Sequence, residues 1–189
     1  VNGTATRAIS KLEGANVNVT NTGVTTVYNE STIGLKAQVE ATAEGLATHF
    51  LEIAGVVTQA ISELLGATTT IDKDASGNTQ VVTQVETTNT DNRLVKIQVD
   101  ATSDGQAKHV VNVDGVSTQA NSEIPGAITT IKKNGEVETR VKIATAISST
   151  VKAFSDGSAS HEMQGEDFNT SATSEIVGAI TVLKQIGDV

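Results

Sequence analysis

Leu94-Val95-Lys96-Ile97-Gln98-Val99-Asp100-Ala101 runs into Ser103-Asp104-Gly105 and then into Ala107-Lys108-His109-Val110-Val111-Asn112-Val113. The first stretch alternates apolar and polar residues, and in the second Ala107, His109, Val111 and Val113 alternate with Lys108, Val110 and Asn112. A period of two places every second side chain on one face of a strand, and an Asp-Gly pair between two such runs predicts a β-hairpin. Asp114-Gly115 turns the chain again, into Val116, Thr118, Ala120, Ser122 and Ile124 opposed by Ser117, Gln119, Asn121 and Glu123. Pro125-Gly126 and Asn134-Gly135 mark two further turns. A short helix is the competing reading at Ala60 to Leu64 and Ala120 to Ile124, which lie four apart before a glycine. Pro125 and the density of β-branched residues favour the strand.

Outward from this stretch, the same grammar is written four times. Thr6-x-Ala8-x-Ser10, Thr58-x-Ala60-x-Ser62, Thr118-x-Ala120-x-Ser122 and Thr170-x-Ala172-x-Ser174 recur at spacings of 52, 60 and 52 residues. Each leads into a Gly-Ala pair, at Gly14-Ala15, Gly66-Ala67, Gly126-Ala127 and Gly178-Ala179. An acid-Gly-x-Ala-x-His motif keeps the same register at Glu44 to His49, Asp104 to His109 and Asp156 to His161. Self-similarity at a fixed period is the signature of a repeat protein. The divisions read from it are 1–53, 54–113, 114–165 and a partial repeat at 166–189. The eight extra residues of the second repeat divide as two in the loop from Asp72 to Gly77 and six near Thr87 to Asn92. The chain opens on Val1 without a Met, and Gly187-Asp188-Val189 aligns with Gly135-Glu136-Val137, so the segment reads as part of a longer repetitive protein.

Composition narrows the function classes. The chain has 189 residues, 13 Lys and Arg against 22 Asp and Glu, a net charge of −9, 2% aromatic residues and no cysteine. An acidic chain without a basic cluster does not collect the phosphate contacts that nucleic acids or anionic membranes require. No apolar run reaches the roughly 18 residues that span a bilayer, so membrane insertion is not expected. Without cysteine there is no disulfide framework, thiolate site or cysteine nucleophile.

From Glu136 to Ser155 the alternation is unbroken, with Val137, Thr139, Val141, Ile143, Thr145, Ile147, Ser149, Val151 and Ala153 on one face. One strand of that length would extend roughly 65 Å, which compact domains rarely use. The expectation is a bend near Ser148-Ser149 or an elongated molecule. Inward faces of Thr, Ala, Ser and Val bury little apolar area, so one repeat alone is marginal at roughly 25 cal/mol/Å². Stacking on neighbouring repeats or wrapping around identical chains would remedy this and cover the strand edges.

Few residues have the types and spacing that chemistry needs. All three histidines, His49, His109 and His161, occupy one repeat position on the apolar strand face. The bland reading is a neutral imidazole hydrogen-bonded inside the sheet. The sharper one is a metal held by three copies of one histidine around a threefold axis, and a third is a pH-sensitive joint. Asp72-Lys73-Asp74-Ala75-Ser76-Gly77-Asn78 resembles the start of a calcium loop, but position twelve is Thr83, which favours a plain hairpin loop. Glu63, Glu123 and Glu175 follow the repeated Ser, and Lys11 replaces them in the first copy, a change of sign that suits a solvated surface. Carboxylates are spread over turn tips without a unique pair, so no catalytic residue and no cofactor are expected. Asn2, Asn18, Asn29 and Asn169 begin glycosylation sequons of the kind that Asn-, Thr- and Ser-rich chains produce by chance.

Val99 to His109, Val113-Asp114-Gly115 and Thr129 to Gly135 together resemble the β-repeats of bacteriophage tail fibres and central tail-tip fibres. That resemblance implies trimeric fibres that project from the virion and recognise the host at a distal tip. The segment shows no tip domain, intramolecular chaperone or His-x-His metal motif, which places any receptor contact outside it. The expectation is thus an all-β chain of tandem antiparallel repeats of about 52–60 residues. It would form an elongated homotrimeric fibre, a structural shaft at the virion surface or outside the cell. The alternatives are a bacterial adhesin stalk or filament subunit of tandem β domains and, more remotely, a polysaccharide-cleaving spike.

Overall fold

A computed structural model describes residues 3–184, which form strands and turns with no helix. Asn2 and the segment Gly187 to Val189 lie outside the described residues. After a first strand, β1 (Arg7–Ser10), the chain makes three five-stranded antiparallel meanders. The first comprises β2 (Asn16–Thr20), β3 (Gly23–Glu30), β4 (Leu35–Thr42), β5 (Ala47–Ile53) and β6 (Val56–Ser62). The second comprises β7 (Thr68–Lys73), β8 (Thr79–Thr88), β9 (Leu94–Thr102), β10 (Ala107–Val113) and β11 (Val116–Ser122). The third comprises β12 (Ile128–Ile131), β13 (Val137–Ala144), β14 (Ile147–Ala153), β15 (Ala159–Gln164) and β16 (Asn169–Ser174), and β17 (Ile180–Leu183) follows. The sequence divisions at 53/54 and 113/114 cut this pattern inside the β5–β6 and β10–β11 hairpins.

Turn chemistry explains the hairpins. Asp114-Gly115 sits at φ of 50° and 91° between paired Val113 and Val116, a two-residue connection with both φ positive, whose twist matches that of the strands. Gly105, at φ 87°, closes the longer β9–β10 turn, where its N–H donates to the Thr102 carbonyl.

The meanders are dealt alternately to two sheets. The first and third lie in one, ordered β16-β15-β14-β13-β12-β6-β5-β4-β3-β2. The second lies in the other, ordered β1-β7-β8-β9-β10-β11-β17. Each change of sheet follows a Gly-Ala pair. The last strand of one meander pairs in parallel with the first strand of the next but one, as β1 with β7, β6 with β12 and β11 with β17. The sheets face each other, β5 against β8, β4 against β7, β10 against β13 and β11 against β14.

The core lies between them and does not respect repeat boundaries. One cluster joins Ala47 and Ala60 of the first meander, Val85, Val95, Val99 and Val111 of the second, and Ile131, Val137 and Ala153 of the third. Each buried Val or Ile stabilises by about 1.5–3 kcal/mol. The area that one thin repeat lacks therefore comes from the facing sheet of the same chain.

Two expectations are corrected. Glu136 to Ser155 is a hairpin that reverses at Thr145-Ala146, three residues before the expected bend. A register irregularity between Lys142 and Ala144 adds one residue there, so Val141 still faces Ser149 and the odd positions stay on one side across the turn. The alternation was preserved through a reversal and read as one strand. The extra residues of the second repeat lengthen two hairpins equally. Paired Thr69 and Thr83 are 14 positions apart against 10 for Thr129 and Thr139. Thr83 and Val99 are 16 apart against 12 for Thr139 and Val151. Additions of four keep every side chain on its face, whereas an odd number would turn the strand inside out.

Candidate functional site

The repeated histidines do not meet. His49 is on β5, His109 on β10 and His161 on β15, one in each meander. His49 is 1% exposed and His109 fully buried. Each reaches across the core to the other sheet and to the following repeat. His49 Nδ1 lies 2.7 Å from Thr83 Oγ1, which lies 3.0 Å from Thr69 Oγ1. His109 Nδ1 lies 2.8 Å from Thr139 Oγ1, which lies 2.8 Å from Thr129 Oγ1. Both Nε2 atoms are buried without a hydrogen-bond partner among the described residues. Burial pushes both imidazoles down to a pKa of about 3, so they are neutral near pH 7.

In both, Nδ1 is committed to a threonine and Nε2 lies buried between the sheets. Among the described residues no group of three or more His, Asp or Glu is placed to hold a metal ion. His161 differs. It is half-buried and lines a cavity of about 280 Å³ with Ser149, Met163, Thr170, Thr181 and Leu183. Thr181 opposes Ala120 across its joint as Thr69 opposes Ala8 and Thr129 opposes Ala60, so one threonine of the relay is in place.

The Thr-x-Ala-x-Ser motif is the joint itself. Thr118 donates to the Gly157 carbonyl at 2.6 Å and accepts from the Gly178 N–H at 3.1 Å. Thr6 likewise donates to Gly45 at 2.8 Å and accepts from Gly66 at 3.3 Å, and Thr58 accepts from Gly126 at 3.3 Å. One hydroxyl thus ties the turn of the next meander to the crossing that starts the one after. The alanine is small enough for the facing sheet, and the Ser122 hydroxyl caps the strand end by bonding the Ile124 carbonyl. Ladder bonds close each joint, from Gln59 N to Ala127 O at 3.0 Å and from Glu63 N to Ile131 O at 2.8 Å.

The sign change at Lys11 has a structural meaning that the sequence reading missed. Lys11 Nζ bonds Asp72 at 2.6 Å across the first joint, and Lys184 pairs with Glu123 at 3.1 Å across the third. Both partners changed sign together, and reading the two positions 61 residues apart as a pair would have revealed it.

Asp72 and Asp74 do not converge on a cation site. Asp72 turns to Lys11, which holds its carboxyl below the usual range. Asp74 accepts from the Ser76 and Asn78 backbone N–H groups inside its own hairpin loop. The densest charge cluster gathers Glu136 and Glu138 with Lys132 and Lys152, and Arg140 joins at Glu138. Burial raises the Glu138 carboxyl, but the Lys132, Arg140 and Lys152 cations outweigh it and hold the carboxyl low. Asp100 moves the other way, raised by burial, while the Gln98 amide donates to both of its oxygens.

Sequence reasoning found the histidines but missed Thr69, Thr83, Thr129 and Thr139. Thr69, Thr129 and Thr181 each stand two residues after a Gly-Ala pair, and that recurrence was the available signal. The chain matches no protein-family model, no curated protein and no solved structure.

Proposed function

We propose that this chain is a structural shaft, a β-spacer of the tail-fibre or tail-tip kind that acts outside the cell or at a virion surface and supports attachment to a host. The observation that carries this reading is the parallel joint, repeated in one register at β1–β7, β6–β12 and β11–β17. Because every second meander lengthens the same sheet, the pattern adds length without closing on itself. Strands lie about 4.8 Å apart, so five strands per sheet add about 24 Å for each pair of repeats. The shared core favours this shaft over an adhesin stalk of independent tandem domains. The homotrimer implied by the tail-fibre resemblance would draw on exposed apolar residues beside the joints, among them Val57, Ile128, Ile180 and Val182.

Small-angle scattering tests the reading. Duplicating residues 67–178, one pair of meanders, should lengthen the particle by about 24 Å at unchanged cross-section. An unchanged maximum dimension, or a second flexibly linked bead, would contradict it. Light scattering decides the number of chains: three times the chain mass supports the trimer and a single mass removes it.

A further inference from the structure

Two grooves occupy the same repeat position on the outer faces of the two sheets. Gly66, Thr68, Gln84, Glu86 and Lys96 line one of about 900 Å³ in the second meander. Gly126, Ile128, Arg140, Lys142 and Ser148 line one of about 520 Å³ in the third, closed on its far side by Gln164 and Glu166. Thr83 and Thr139 fix the alignment, since each is the threonine bonded by the preceding repeat's histidine. Strands flank the second meander on both sides, β1 beside β7 and β17 beside β11, and its groove is open all the same. Neighbouring repeats therefore leave this face uncovered, and both volumes fall in the range of small-ligand sites.

The shared frame is lined with different chemistry. In the second meander Lys96 pairs with Glu86 at 3.0 Å, and the neighbouring Gln84 amide donates to Gln98 at 2.8 Å. In the first, Lys36 stands at the Lys96 position and lies 5.1 Å from the centre of the Phe50 ring. In the third, Lys142 faces Ser148 and has no acidic partner among the described residues. It is the last residue before the register irregularity of β13, and bulged strands bend at such places. Arg140, on the same face, has a side chain 68% exposed and is oriented by Glu138, which is already neutralised by Lys132 at 3.1 Å and Lys152 at 3.5 Å. Glu162, the next acid along that row, is bonded by Asn169 at 2.9 Å. In a chain of net charge −9, the groove thus opens on two cations with charge to spare.

We propose that the third groove binds an acidic sugar, its carboxylate or phosphate held between Arg140 and Lys142 and its hydroxyls by Ser148, Gln164 and Glu166. A guanidinium fork matches either oxyanion, and an ammonium adds a point charge beside it. Lys142, Ser148 and Gln164 stand in one row across β13, β14 and β15, which at about 4.8 Å per strand spans about 10 Å. The Ser148 hydroxyl and the Gln164 amide each donate and accept, and the Glu166 carboxylate accepts, as sugar hydroxyls require. The second groove, with its cation paired to Glu86, lacks the oxyanion end. This proposal stands on the groove geometry and does not require the shaft reading.

The test titrates the isotope-labelled full chain with glucuronate, glucose 6-phosphate, glucose and inorganic phosphate, and follows backbone amides by NMR. Both acidic sugars should shift Arg140, Lys142, Ser148 and Gln164 and leave Glu86 and Lys96 in place, and the tighter of the two identifies the oxyanion. Glucose should shift none of them. Arg140→Gln and Lys142→Gln, changes at exposed side chains, should each weaken binding about ten-fold, the loss of one charge-assisted hydrogen bond. Gln84→Arg, Glu86→Lys and Lys96→Ser together should confer binding on the second groove. An absence of shifts, shifts spread over lysines elsewhere, or affinity unchanged in Arg140→Gln and Lys142→Gln would overturn the proposal. So would inorganic phosphate binding as tightly as the sugars, since the groove would then be a bare anion site.

Discussion

His109 and His161 occupy the same repeat position with the same preceding motif, yet one is fully buried and bonded to Thr139 while the other lines an open cavity. The joints divide the same way, with Thr118 buried between two glycines and Thr170 exposed. In both pairs the difference lies outside the repeat's own residues. A repeat here does not bury its own motif; the following repeats do, the next one through the facing sheet and the next but one through the parallel strand. Stability is therefore a property of neighbours, as in stacked repeat proteins.

Acid should show the largest consequence. Unfolded imidazoles take up protons below about pH 6.5, while folded His49 and His109 resist until about pH 3. Between those values the unfolded chain binds more protons, so stability is full above pH 6.5 and falls as pH falls through the window. The slope is about 1.4 kcal/mol per pH unit for each histidine, and urea melts at a series of pH values measure it. His49→Gln with His109→Gln should flatten the curve.

Truncation sharpens the same contrast at fixed pH. His109→Ala opens a void between the sheets and should cost about 2–4 kcal/mol, against less than about 1 kcal/mol for His161→Ala, both read from the denaturation midpoint. The number of chains and the response to chelator should not change. A drop in melting temperature on chelation would instead assign a metal role to His49, His109 or His161. At the joints, Thr118→Val strips partners from the Gly157 carbonyl and the Gly178 N–H and should cost about 1–3 kcal/mol. The matching Thr170→Val should cost less than about 0.5 kcal/mol, as an exposed substitution does. Smallest is the ion pair: Lys11→Asp alone should cost less than about 1 kcal/mol, and Lys11→Asp with Asp72→Lys should recover it in a double-mutant cycle.

Much of this was legible residue by residue. Alternation from Leu94 to Ala101 and from Ala107 to Val113 gives strands β9 and β10, and Asp114-Gly115 gives the turn to β11. The assignment of strands to sheets was not legible, because a chain that crosses after Gly66-Ala67 keeps the same inward and outward pattern in its new sheet. The role of Thr and Ser at inward positions was not legible either. They read as weak core, whereas Thr83, Thr118 and Ser122 are buried with their hydroxyls bonded across or along the joint. The charge pairs were hidden by distance along the chain, since Lys11 and Asp72 have meaning only together.

The central claim is that one chain supplies both strands of every joint, and engineered cysteines test it most directly in a chain that has none of its own. Ala60 and Thr129 face each other across the parallel β6–β12 joint, within the Cα separation that a disulfide tolerates. Mild oxidation of the Ala60→Cys, Thr129→Cys double variant should give a cross-link within a single chain, seen as a faster-migrating monomer on a non-reducing gel. Cross-linked dimers or trimers without that monomer band would show that the joint forms between chains and would contradict the account.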